Sequence, residues 1–188
     1  MKEIDEPGVN FIYQSGVTQL LALSWRRLPG RNSAIMYPAN YGLRCTPRKA
    51  PLEPRPEGRH GKAYCCFNGN ARDFARFGQL LLNNGQWDDR AIDLSRLFGG
   101  SDKPDTRLVY KDLGKPNHCY GFQYWILDYK GMKIPYMRGI LGQYVFTLPE
   151  KNAVIVRLGH KRSDTYTADQ HYPDDINTWL DAAMDLLQ

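Results

Sequence analysis

Residues 24–61, SWRRLPGRNSAIMYPANYGLRCTPRKAPLEPRPEGRHG, carry neither the 3.6-residue spacing of an amphipathic helix nor the alternation of a strand. Proline holds six of these 38 positions. Each removes a backbone donor and fixes φ, which excludes a continuous helix or a central strand across the segment. The fold has to come from what lies on either side, residues 1–23 and 62–188. The segment also concentrates the charge: seven Arg and one Lys against two Glu give it +6 in a chain whose total is +5, so everything else sums to −1. A basic surface spread over a folded domain, the footprint expected of a nucleic-acid binder, is therefore not what the charge describes.

The flanking parts are rich enough to build a core. Of the 188 residues 42% are hydrophobic, with 4 Trp, 12 Tyr and 7 Phe, and no apolar run is long enough to span a bilayer. The four cysteines, Cys45, Cys65, Cys66 and Cys119, show neither zinc-ligand nor CxxC spacing, so they read as ordinary free thiols. The opening MKEIDEPGVNF has no apolar signal region.

Regular elements are legible on both sides. In NARDFARFGQLLLNNGQW, Phe74, Phe77, Leu80 and Leu81 recur three to four residues apart, with Asn70 to cap and Gly85 to stop. This predicts an amphipathic helix over about 71–83. From Tyr120 to Lys161 three or four β-rich runs follow, with DYKGM and PEKN as turns at hairpin distance, which predicts an antiparallel meander. PDDINTWLDAAMDLLQ opens with Pro173 and two acids and spaces Ile176, Trp179, Leu180, Ala183 and Leu187 as a helix that must lie on another layer.

Four blocks in this order, PGVNFIYQSGVTQLLAL, NARDFARFGQLLLNNGQW, YGFQYWI and GILGQYVFTLPEKNAVIVRLGHKR, resemble the serine β-lactamase and penicillin-binding-protein-like hydrolases. The resemblance is to the class C, esterase and 6-aminohexanoate-dimer-hydrolase branch, and it covers residues 7–23 and about 62–188. It implies an α+β fold: the C-terminal part of a β-lactamase/transpeptidase-like domain, an antiparallel sheet flanked by helices, and incomplete. An unpaired sheet edge and an exposed apolar face should follow from the incompleteness. It implies acyl transfer on an amide, β-lactam or ester, a small-molecule or peptide-like substrate, no cofactor and no metal. Members are often exported, and the native amino terminus is expected upstream of Met1, so the missing signal pattern assigns no compartment.

The family pattern also explains the irregular segment. With codons permitted by Ser24 onward, restoring one A before Ser24 gives IVEKATGKKLSDYVS, a capable amphipathic helix; GQLWSPLHAEESA continues in that frame. A second restored base near Pro51 gives LWSLDRKDGMEK, and a third rejoins the given frame at Lys62. Residues 24–61 thus read as out-of-frame translation. The stretch at 93–102, DLSRLFGGSD, is a weaker candidate for the same lesion.

Three parts of a serine site can be looked for: nucleophile, proton carrier and oxyanion donors. In Tyr13-Gln14-Ser15, the resemblance makes Tyr13 the phenol that shuttles a proton and Ser15 a hydroxyl in the same pocket; the bland reading of Tyr13 is a packed aromatic at a loop–helix junction. RGILGQY stands where the family has K-T-G or H-x-G, but aligning Gly142 with the motif's glycine puts Ile140 at the position of the cation. Gly142 suits a strand that must approach substrate, the amide of Gln143 could serve an oxyanion, and Arg138 could meet a substrate carboxylate; a bulge glycine and a surface Arg are the equal alternative. His160 and Lys161 read as solvated turn residues. None of the six serines opens an SxxK, so the nucleophile is absent. The chain reads as an inactive C-terminal fragment of a serine hydrolase, with a non-catalytic ligand- or partner-binding module as the other reading.

Overall fold

In the computed structural model the described residues are 6, 8–26, 65, 69–87, 90–91 and 103–187. They fall into two compact units, residues 13–73 and residues 1–12 with 74–188. Of the out-of-frame candidates 24–61 and 93–102, residues 27–61 and all of 93–102 lie outside the described residues.

In the smaller unit, α1 (Ser15–Arg26) starts directly after the Tyr13-Gln14 pair and runs three residues into the aperiodic segment. Cys65 is disulfide-bonded, which corrects the expectation of four free thiols; Cys119 is a buried free thiol. Cysteine spacing restricts metal sites and CxxC pairs, whereas a disulfide needs only a close Cβ approach that spacing does not encode. The next helix, α2 (Ala71–Leu82), begins with the expected cap. The Asn70 side chain accepts from the Asp73 amide at 3.1 Å, and the Asp73 carboxylate accepts in return from the Asn70 amide at 3.2 Å, so two orphan donors are satisfied reciprocally. Gly85 ends the helix with φ +82, its amide reaching the Leu80 carbonyl at 2.8 Å.

The larger unit holds the expected meander. Strands β2 (Gln86–Trp87) and β3 (Arg90–Ala91) form a small hairpin. β4 (Val109–Tyr110) pairs in parallel with β1 (Asn10–Phe11) and antiparallel with β5 (Lys115–Pro116). The main sheet runs β6 (Trp125–Tyr129), β7 (Met132–Arg138), β8 (Tyr144–Leu148), β9 (Ala153–Arg157) in that order, all antiparallel. Lys130 and Gly131 both take positive φ in the β6–β7 turn, matching the twist of the strands they join. Asn152 does the same at the β8–β9 turn. Pro135 has no amide to donate, and the buried Thr147 hydroxyl bonds its carbonyl at 2.7 Å.

Strand alternation sets the two faces of this sheet. Tyr136, Tyr144, Phe146 and Leu148 form one cluster with Ile176 and Leu180 of α3 (Asp175–Leu186), all essentially without solvent exposure. Burying each such side chain contributes about 1.5–3 kcal/mol. Toward the other face, Gly78 of α2 lies where an added Cβ would be 2.4 Å from the Val154 side chain and 3.0 Å from that of Val145; the helix backbone rests there directly on the two valines. Among the described residues β6 and β9 are the outer strands of this sheet, and Leu158, Trp179 and Leu186 are exposed apolar side chains at its far end and on α3.

Candidate functional site

The motif segment lies between β7 and β8. Gly139 donates to the Gln143 carbonyl at 2.8 Å and Gln143 donates to that of Ile140 at 3.3 Å, closing a tight 3-10 turn over Ile140–Gly142. Leu141 and Gly142 both sit in the left-handed region, φ 57 and φ 80. For a leucine that conformation costs roughly 1–2 kcal/mol, so contacts outside the turn must hold it. They come from the end of β9. Arg157, paired with Tyr144, donates through Nη1 to the Gly142 carbonyl at 2.7 Å and through Nη2 to the Lys161 carbonyl at 2.8 Å. The Gln143 carboxamide donates to the Gly159 carbonyl. A Cβ on Gly142 would stand 1.5 Å from Arg157 Nη1; only glycine permits that approach. The braced turn turns Ile140 and Leu141 outward, 77% and 51% exposed.

Arg138 closes β7 beside this turn. Its Nη1 donates to the His171 carbonyl at 2.8 Å, and its guanidinium lies 3.5 Å above the Trp125 ring, a cation–π contact. No carboxylate among the described residues pairs with it. Beneath it the Tyr136 hydroxyl is pushed up by burial, with Arg138 pulling the other way. Tyr144 is pushed up to about 12, by burial first and then by the charge of Asp175. Both phenols are neutral at ordinary pH. Burial likewise raises the Cys119 thiol to about 11, which leaves it a packing group, not a nucleophile.

The structure gathers Arg138, Gly142 and Gln143 into six consecutive residues, with Gly142 in a turn, not on the strand expected for it. Two successive positive φ values are incompatible with an extended strand. Tyr13 and Ser15 lie in the smaller unit, Tyr13 49% exposed just before α1 and Ser15 exposed as its first residue. His160 and Lys161 are exposed, as read from the sequence. Sequence reasoning missed Arg157 and Gly159. The only trace was an Arg at a strand end followed two residues later by Gly, too common a pattern to mark a brace. Among the described residues no group of His, Cys, Asp or Glu is placed to hold a metal ion, and no helix is long and apolar enough to cross a membrane.

The backbone arrangement recurs in solved structures. A chain from Bacillus anthracis assigned as a 6-aminohexanoate-dimer hydrolase superposes with TM-score 0.69 at 24% identity, over 99% of this chain and 46% of that one. A Bacteroides dorei chain assigned as a beta-lactamase gives 0.65 at 15% identity, over 97% of this chain and 60% of the other. The α+β fold is shared with both. This chain therefore spans about half the length of the structures it matches. No family model and no curated protein matches it.

Proposed function

We propose that this chain is part of a β-lactamase-like serine hydrolase that cleaves an amide, a β-lactam or an ester through an acyl-enzyme. The observation that carries this reading is the superposition of almost the whole chain on a hydrolase-assigned structure, together with the order of the four sequence blocks. In this reading Tyr13 moves the proton between the nucleophile and the leaving group, and Ser15 offers a second hydroxyl. The Gly139–Gln143 turn forms the edge on which substrate lies. Gln143 keeps one carboxamide hydrogen beyond the one given to Gly159, and that hydrogen would meet the oxyanion. Arg138, a cation without a carboxylate partner among the described residues, would meet a substrate carboxylate.

The nucleophile is not among the six serines, since none is followed three residues later by Lys. The chain alone should therefore be inert toward acylating probes. Incubating the purified 188-residue protein with a fluorescent penicillin and with a fluorophosphonate should label nothing; a label mapped to Ser15 would overturn this assignment. The second reading, a binding module without chemistry, draws on exposed Ile140 at the motif's cation position. Genomic sequence upstream of Met1 separates the two: an SxxK within some tens of codons, in any frame, supports the hydrolase, and its absence supports the binding module.

A further inference from the structure

A cleft of about 730 Å³ opens in the larger unit between the end of β9, the segment that follows it and the first turns of α3. It is shallow and open to solvent. Arg157, Lys161 and Arg162 line it on one side, Asp174 and Asp175 on the other. No ion pair joins the two sides. Arg157 is already engaged: it binds two carbonyls, and its guanidinium lies 4.6 Å from the Trp179 ring centre, bracing an indole that is 46% exposed. Lys161 has no ion-pair partner among the described residues, and Arg162 gives Nη1 to the Tyr166 hydroxyl and keeps its other donors. Opposite them, Asp175 Oδ1 is buried without a donor. The Tyr144 hydroxyl, on a residue with no solvent exposure, is buried without a partner as well, and it feels the charges of Asp175, Arg157 and Arg162.

Buried acceptors without donors are rare in folded proteins because each carries its full desolvation cost. A lone anion bound here would leave Asp175 unpartnered and face two carboxylates. A lone cation would face Lys161 and Arg162. We infer that the cleft takes a zwitterion of amino-acid or short-peptide size, its ammonium meeting the carboxylates of Asp174 and Asp175, its carboxylate meeting Lys161 and Arg162, and its apolar part lying on Trp179. Binding of this kind needs no nucleophile, so it stands whether or not the acyl-transfer reading does.

The test is an NMR titration of the 15N-labelled chain with glycyl-leucine, using its N-acetyl and C-amide forms as single-charge controls. The Trp179 indole N–H and the backbone amides of residues 161–163 and 174–179 should shift saturably with the zwitterion, and each control should bind about tenfold more weakly. Asp175→Asn should erase the preference over the N-acetyl form, and Lys161→Gln with Arg162→Gln the preference over the amide. The second variant changes the exposed Lys161 and the half-buried Arg162, both outside the hydrophobic core, so it still reads out if Asp175→Asn fails to fold. Equal binding of all three ligands, or shifts that never saturate, would overturn the inference.

Discussion

At the scale of single residues, the motif turn is held by a contact that only one residue type allows. Gly142 combines a φ of +80 with an Arg157 guanidinium nitrogen 1.5 Å from where a Cβ would stand, while Gly131 has a φ of +86 and open space. Gly131→Ala should therefore cost only the backbone term, about 1 kcal/mol. Gly142→Ala should cost that and the displacement of Arg157 from the Gly142 carbonyl, about 2–3 kcal/mol in all. Urea unfolding of the two variants measures the difference; equal midpoints would show that Arg157 yields without loss. This brace was not legible in the sequence, because Gly142 and Arg157 are fifteen positions apart and meet only through the pairing of β8 with β9. Arg138, Gly142 and Gln143 were legible as a group because they are neighbours in the chain, and the motif that flagged them says nothing of which carbonyls they bind.

Elements whose signals are local came out as read: α2 with its cap and stop, the β6–β7 and β8–β9 turns, and α3. The two-residue strands β1, β4 and β5 were invisible, since two residues carry no periodicity and the parallel β1–β4 pair joins positions about a hundred residues apart. Within α2, Gly78→Ala sets two known effects against each other. Alanine gains about 1 kcal/mol of helix propensity over glycine. Its methyl would press on Val154 and Val145, both stiff β-branched side chains, at 2.4 and 3.0 Å, and overpacking of this kind costs about 1–3 kcal/mol. Packing should win, and the variant should unfold at lower urea; a stabilised variant would mean that α2 can move off the sheet. α3 is tied to the β6–β7 turn by Asp181, which accepts from the Tyr129 hydroxyl and from Lys130 at 2.7 Å. The Lys130 ammonium first, then the Tyr129 hydroxyl, holds its carboxyl below the usual range. A depressed carboxylate adds stability above its unfolded value and loses it as pH falls through the folded one. The urea midpoint should thus drop as pH falls below about 5, where the unfolded carboxyl begins to take up its proton, and drop less in Asp181→Asn; parallel pH profiles would remove Asp181 from the acid response.

For the whole molecule, the two ends of the sequence describe a fold that its middle interrupts. Residues 8–23 and 69–187 supply the described helices and sheets apart from the last turn of α1. Residues 24–61 supply six prolines and eight basic side chains. We propose that residues 24–61 are translated out of frame: their composition is unlike that of their flanks, and one restored base, with codons chosen among those the residues permit, turns their start into the amphipathic IVEKATGKKLSDYVS. The consequence is measurable on protein. A chain in which residues 24–61 are replaced by the frame-restored sequence should show deeper far-ultraviolet helix bands and higher solubility than the given chain, because an amphipathic helix can bury an apolar stripe that a proline-rich basic segment cannot form. If the two chains give superimposable circular-dichroism spectra, the restored segment adds no helix and the aperiodic sequence is the protein's own.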